Sequence, residues 1–549
     1  MVDPSADTIM TFRDRMTDMR KGPFAVALSL TTAVASFAVM GPAGADPDPV
    51  AGPTLVRTDQ GVVQGEARPG HRLFQGIPFA AAPVGDLRWR PPQPARSWSG
   101  VRDATFPRSA CAQLPGVGSP LTSFEEDCLY LNVATPDRPG RRKLPVMVWV
   151  HGGSNTAGSG STYNTSKLAV NGDVVVVSIN YRLGALGWLG HPGLETRGLQ
   201  AGNYGLLDQQ AALRWVRHNI GAFGGDARNV TLFGESAGAN GICANIASPT
   251  AAGLFHKAIA QSYGCAAPTN TPATAEAAAR AFTEAVGCDD ENTVAECLRA
   301  VPVKTLLDVA KTKGLRAGPV AGGDGVLPLQ PAEAIERGRF NRVPVVHGST
   351  LDEMRLYVSL IHQRPITTAR YEGLVRSTYG DKADRVLARY PVSRYPEPRI
   401  ALSTLATDHG NVISTCEHVK AFGLFRRAGV PVYAYQFADR TAPPLVDVPG
   451  FEEGAEHATE LSYLFPGLLG TLNAEQQRLS DTMVGYWTSF AHRGRPSARN
   501  APRWPAHRST GDVLSLGIGE DGVHTTDTSE QSNCAFWDEI GPVPPVALF

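Results

Sequence analysis

Charge is scarce in this chain and balanced: Asp, Glu, Lys and Arg make up 19% of 549 residues, and 51 bases nearly cancel 52 acids. A basic face for nucleic acid is therefore not expected. Cysteine is sparse, with eight residues, which excludes a small disulfide scaffold but leaves room for a few structural bridges. No Cys-x-x-Cys or Cys/His spacing suggests a metal site. There is no repeat with a period of about 20–50 residues and no low-complexity tract beyond the N-terminus. Against these absences stands a hydrophobic content of 42%, enough for a large core and incompatible with wholesale disorder.

Only one apolar run approaches the length of a membrane span. Phe24 to Met40 carries no charge over 17 residues, with Arg20 and Lys21 before it and Ala43-Gly44-Ala45 after it. Small residues thus occupy the two positions signal peptidase reads, so residues 1–45 are expected to be a signal peptide cleaved before Asp46. The leading polar stretch is long, which leaves Met10, Met16 and Met19 as alternative starts. The competing reading is a retained anchor; the run is near the lower limit for a span, and Gly41-Pro42 with the Ala-x-Ala site favours removal. Residues 1–45 hold four acids and four bases, so the remaining 549 − 45 = 504 residues keep a net charge of −1. No linker composition divides 46–549, which reads as a single domain.

Apolar, β-branched runs at 144–150, 174–179, 230–233, 258–261, 343–347 and 432–437 predict buried strands, with helical patterns such as 206–218 between them. Such alternation means an α/β fold with a large, mostly parallel central sheet and helices on both faces. The helix-rich stretch from about Ala266 to Arg342 reads as a helical insertion.

Gly234-Glu235-Ser236-Ala237-Gly238 follows one of these strands and precedes a small-residue helix start. A strand turning sharply into a helix exposes its serine at the sheet edge, and flanking glycines let backbone pack against the turn. Ser236 is the expected nucleophile. A nucleophilic serine needs a base and an oxyanion hole. The Ala237 N–H is one donor, and others are expected from the loop His151-Gly152-Gly153-Ser154-Asn155 after the strand at 144–150. The bland alternatives are a chance match in a Gly/Ala-rich chain and an ordinary glycine turn.

Longer blocks carry a resemblance. They are Phe74-Gln75-Gly76-Ile77-Pro78-Phe79, Pro83-Val84-Gly85-Asp86-Leu87-Arg88, Glu126-Asp127-Cys128-Leu129-Tyr130-Leu131-Asn132-Val133 and Asn203-Tyr204-Gly205-Leu206-Leu207-Asp208-Gln209, with 233–238. In these the chain resembles the type-B carboxylesterase/cholinesterase family of α/β-hydrolases, in its bacterial, secreted, para-nitrobenzyl-esterase-like form, over nearly all of residues 54–540. The resemblance implies the α/β-hydrolase fold and hydrolysis of carboxylic esters with no cofactor and no metal. It puts the oxyanion donors at Gly153, Ser154 and Ala237. Family members usually carry Gly or Ala in place of Ser154 and an aromatic residue in place of Asn155, so the pocket wall here is more polar than usual.

The fold puts the base after the last strand, taken as 432–437, leaving His457, His492, His507 and His524 as candidates. Only His457 sits in a family-like block, Ala455-Glu456-His457-Ala458-Thr459-Glu460-Leu461; His492 and His507 lie among Arg and Pro and read as solvated surface. Asp352 and Glu353 both follow the strand at 343–347, and the family pattern selects Glu353 as the orienting acid. The chain order Ser236, Glu353, His457 is the α/β-hydrolase order. The resemblance also implies a tuning role for Glu235, a place for Glu460 behind His457 and beside Ser262, and structural ion pairs Arg88–Glu126 and Arg182–Asp208. It pairs Cys111 with Cys128, Cys288 with Cys297 and Cys416 with Cys534. Cys243 and Cys265 remain thiols or a fourth bridge, with a bridge preferred in a secreted protein.

In cholinesterases the first disulfide loop carries a Trp that holds choline by cation–π attraction. Residues 112–127 contain no Trp, and Phe124 is a poor substitute, so choline esters are not expected substrates. The expected activity is that of a secreted serine carboxylesterase on small or medium acyl esters, with a small-molecule ester as partner, no nucleic acid, no membrane after signal cleavage, and a monomer favoured. One rival is a lipase or polyesterase, which emulsified long-chain substrate would reveal; the segment 113–125 is only modestly apolar. The other, from a different class, is a catalytically inactive cholinesterase-like binding protein. Retention of Ser236, Glu353 and His457 argues against it.

Overall fold

A computed structural model describes residues 54–137, 142–196, 198–323, 325–520 and 522–541. The expected signal peptide lies outside the described residues. A central sheet of 11 strands organises the rest. In chain order they are β1 (Glu66–Arg68), β2 (His71–Pro78), β3 (Tyr130–Pro136), β4 (Leu144–Val150), β5 (Val175–Ile179), β6 (Gly225–Glu235), β7 (Lys257–Gln261), β8 (Val345–Thr350), β9 (Val432–Phe437), β10 (Val513–Leu516) and β11 (Val523–Thr526). The spatial order is β11-β10-β9-β8-β7-β6-β4-β5-β3-β2-β1. From β5 through β10 every neighbouring pair is parallel, and the strands at both margins are antiparallel. A separate three-stranded sheet joins Leu55–Arg57, Val62–Gln64 and Val101–Asp103.

The continuous apolar runs explain this layout. Successive strand residues face opposite sides, and β4 sends Val146, Val148 and Val150 into one core and Met147 and Trp149 into another. Both faces of the sheet are therefore covered, as a parallel sheet requires. Two differences from expectation matter. First, β8 starts at Val345 rather than 343, after Pro344, which has no N–H to give a ladder. Second, β9 is not the last strand: β10 joins it in parallel and β11 pairs antiparallel with β10. Each has four residues, too short to register as an apolar run.

The segment expected to be a helical insertion holds helices Pro272–Ala285, Val294–Ala300, Val303–Thr312 and Pro331–Glu336. Four disulfides tie the fold: Cys111–Cys128, Cys243–Cys265, Cys288–Cys297 and Cys416–Cys534. Two bidentate ion pairs brace it, Arg88 with Glu126 and Arg182 with Asp208, the latter at 2.8 Å with both partners buried. Among the described residues no helix is long and apolar enough to cross a membrane.

Candidate active site

Ser236 stands between β6 and a helix, α1 (Ala237–Ala247), with φ 55° and ψ −122°. This left-handed conformation is strained for a residue with a Cβ. Its neighbours allow it. A Cβ on Gly234 would lie 2.6 Å from the Val150 carbonyl oxygen, and one on Gly238 would lie 2.1 Å from the same atom. Only glycine fits at either place, and the Ser236 N–H donates to the Gln261 carbonyl at 2.8 Å to hold the turn.

The loop after β4 approaches from the opposite side. Gly153, Ser154 and Asn155 all have positive φ, at 101°, 56° and 59°. The carbonyl of Gly153 accepts from the N–H groups of Thr156 and Ala157 at 3.0 Å, closing a tight turn. Among the described residues the N–H groups of Gly153 and Ser154 have no hydrogen-bond partner. Ala237 is the first residue of α1, where backbone N–H groups lack intrahelical acceptors. His151 anchors the loop: it stacks on Tyr181, whose hydroxyl donates to the His151 carbonyl at 2.8 Å.

His457 comes from the segment after β9 and Glu353 from the turn after β8. His457 Nδ1 lies 2.6 Å from Glu353 Oε2, and Glu353 Oε1 accepts the Thr350 N–H at 2.8 Å, so both carboxylate oxygens are engaged. Both residues are buried, Glu353 completely. Asp352 points elsewhere. It pairs with Arg355 and Arg440, and its side chain and its own N–H bind the Ala455 N–H and carbonyl, two residues before His457.

His457 Nε2 makes no hydrogen bond to Ser236 Oγ in this conformer. It lies 3.0 Å from Glu235 Oε1, an ion-pair distance without hydrogen-bond alignment. Catalytic hydrogen bonds are often long before substrate binds. Burial opposes protonation of His457, but Tyr357, Glu235 and Glu353 outweigh it and raise its pKa well above the imidazole value. Burial likewise pushes Glu235 up to about 7, opposed by His457. Both groups therefore hold a proton more tightly than they would in water. Tyr357, one turn beyond Glu353, lays its ring 5.5 Å from the His457 ring.

Glu460 sits behind this group but not with Ser262. Its Oε1 accepts from Gln261 Nε2 at 3.1 Å, and Gln261 in turn accepts from Trp487 Nε1. Ser262 is buried with φ 56°, and its hydroxyl has no partner among the described residues. The longer Gln261 side chain reaches Glu460 first. One other expectation needs correction: His507 is buried against Phe422 rather than solvated. His492 is exposed, with its Nε2 3.0 Å from the Gly172 carbonyl.

Ser236 stands where two cavities meet. One, of about 340 Å³, is lined by Gly153, Ser154, Glu235 and His457 together with leucines of three loops and a short helix. The other, of about 470 Å³, is lined by Ser154, Ala237, Tyr357 and four asparagines, Asn155, Asn240, Asn270 and Asn411. Sequence reasoning missed Asn240 and Tyr357. Asn240 stands four residues after Ser236, the N-cap of α1, and that spacing was its available signal; Tyr357 lies on the helix Arg355–Ile361, which begins only after Glu353, and no such spacing pointed to it. Among the described residues no three His, Cys, Asp or Glu side chains group as a metal ligand set.

Comparison with known proteins agrees in scale with this architecture. Residues 52–537 match the model of the Carboxylesterase family. A fumonisin B1 esterase of Sphingopyxis macrogoltabida is 35% identical over 486 residues, covering 85% of this chain and 87% of its own length. A para-nitrobenzyl esterase of Bacillus subtilis (strain 168) is 36% identical over 486 residues, covering 84% and 94%. Among solved structures, a PNB esterase superposes with a TM-score of 0.73 at 34% identity, covering 88% of this chain and 99% of that one.

Proposed function

The chain belongs to the carboxylesterase family, and on that premise we propose that it is a secreted serine carboxylesterase working through an acyl-enzyme, with Ser236 as nucleophile, His457 as base and Glu353 as orienting acid. The observation that carries this reading is the 2.6 Å contact from Glu353 to His457 Nδ1, in a wall of the cavity that exposes Ser236. With Nδ1–H held by Glu353, Nε2 is the free base. Turnover begins when Nε2 leaves Glu235 and takes the Ser236 proton. Ser236 Oγ attacks the ester carbonyl, and the N–H groups of Gly153, Ser154 and Ala237 stabilise the oxyanion. His457 then gives its proton to the departing alcohol, and water repeats the sequence on the acyl-enzyme.

The reading includes export: residues 1–45 act as a signal peptide ahead of one catalytic domain, 46–549, acting as a monomer on small-molecule esters. The four disulfides support an oxidising destination. A fluorophosphonate should label the protein once and abolish turnover, and Ser236→Ala should be neither labelled nor active. Label recovered on a peptide without Ser236 would overturn the assignment.

A further inference from the structure

Both cavities at Ser236 have largely apolar walls, but they differ in the polar groups set among them. The one beside His457 is walled by Val117, Leu121, Leu445, Leu468 and Leu469, with the hydroxyls of Ser119, Ser159 and Thr162. The other sets Asn155, Asn240 and Asn270 among Met354, Ile361 and Ile413, with Arg316 among its lining residues. Catalysis decides which half of an ester occupies each. His457 must reach the leaving oxygen to protonate it, so the alcohol half lies in the leucine cavity and the acyl half extends into the asparagine cavity. This step rests on the roles proposed above for Ser236 and His457.

The asparagines are arranged rather than scattered. A Cβ on Gly318 would lie 3.4–3.6 Å from the Nδ2 atoms of Asn155, Asn240 and Asn270, so three amides converge on one stretch of backbone. Asn155 Nδ2 donates to the Ala317 carbonyl at 3.4 Å, and Asn270 Nδ2 to the Arg316 and Gly318 carbonyls at 3.4 and 3.3 Å. These amide nitrogens hold the 316–318 loop. The oxygens are left over: Oδ1 of Asn155 and Oδ1 of Asn240 are buried and have no hydrogen-bond partner among the described residues, on side chains 3% and 9% exposed. A buried acceptor without a donor is costly, and an alkyl chain beside it leaves it so. Two acceptors on the acyl side call for a donor on the acyl group.

We propose that Asn155 and Asn240 are specificity-determining residues that select esters whose acyl half bears a hydroxyl group, joined to an apolar alcohol. The test uses the full-length secreted protein and three hexyl esters of one alcohol: butanoate, 3-hydroxybutanoate and monosuccinate. A site built to hydrogen-bond a substrate hydroxyl discriminates strongly against the analogue lacking it; here kcat/KM should favour 3-hydroxybutanoate over butanoate by at least roughly tenfold. Asn240→Leu and Asn155→Leu should each collapse that ratio toward one or invert it, with fluorophosphonate titration counting competent sites. Equal or reversed preference in the unaltered protein overturns the proposal even if neither variant folds. So does a preference for the monosuccinate that both leucine variants retain, which would give selection to the Arg316 charge instead. Hydrolysis of none of the three esters would refute the esterase reading itself, and this inference with it; hydrolysis with the wrong order refutes only this inference.

Discussion

Glu235 precedes the nucleophile, yet its carboxylate reaches the far nitrogen of His457. A second anion beside the base raises its proton affinity, so the acidic limb of the pH–rate profile should lie above the usual histidine range. Glu235→Gln removes that charge and should move the limb to lower pH. An unmoved limb in kcat/KM would show that Glu235 does not set the base. Adjacent acids separate just as sharply. Glu353→Gln should lower kcat roughly 10⁴-fold, as loss of the orienting acid does in a serine protease, with little change in melting temperature. Asp352→Asn should cost less than about tenfold in kcat but destabilise the fold by roughly 3 kcal/mol, because it removes the buried carboxylate facing Arg355, which keeps only the Glu452 carbonyl and a 3.9 Å contact to the exposed Glu452 carboxylate. Calorimetry and kcat on one soluble ester, measured for both variants, check this. Ser236, His457 and Glu353 were legible in the sequence because each sits in an ordered block next to a strand. The burial of His507 was not, because its Arg and Pro neighbours are local while its contact with Phe422 comes from 85 residues earlier in the chain, 507 − 422.

At the scale of elements, legibility followed hydrophobic continuity. The central strands β4 to β9 announce themselves as apolar runs because both their faces are buried. The margins are quieter: β2 mixes buried with half-buried residues, and β10 and β11 are four residues each. Of the asparagine cavity only the polar wall at Asn155 was legible, since Asn240 and Asn270 come from a helix and a separate loop and share no spacing with it. The C-terminal helix Cys534–Ile540 is held by its disulfide to Cys416 and by Trp537, which stacks on His409 at 4.4 Å and donates to Tyr390. That bridge spans 118 residues. In the chain-entropy model, closing about 100 residues contributes about 4.7 kcal/mol. Cys416→Ser with Cys534→Ser should therefore lower the unfolding free energy by up to that amount and shift the denaturation midpoint down accordingly, while kcat of the folded fraction stays near native. A midpoint unchanged under non-reducing conditions would refute the bridge's role.

Over the whole molecule two sets of buried groups pull stability in opposite directions with pH. Burial lowers His347 to about 3 and His151 and His409 to about 4. The unfolded chain protonates these near 6.5 while the folded one does not, so stability falls as pH drops below about 6.5. Burial also raises Glu460 and Glu456 to about 8 and Asp408 to about 7. The folded state keeps these protons while the unfolded one releases them above about 4.5, so stability falls as pH rises from there toward 8. His457, also raised, adds to the second set. The two slopes oppose each other only between about 4.5 and 6.5, and the melting temperature should peak there. Activity, which needs a neutral His457, should peak at higher pH. A scan of melting temperature against pH that climbs steadily to 8 would contradict this balance.

The serine turn has a mechanical consequence. Its left-handed backbone has nowhere to relax, because Gly238 already rests against the Val150 carbonyl on the neighbouring strand. The nucleophile is thus wired in series with the middle of the sheet, like a fuse. Fraying at either margin leaves it intact, and melting of the centre breaks it at once. Heat inactivation should overlay the unfolding of β4 and β6. Asn155, in the loop after β4, and Asn240, on α1, ride on the same central elements, so discrimination between esters should be lost together with turnover.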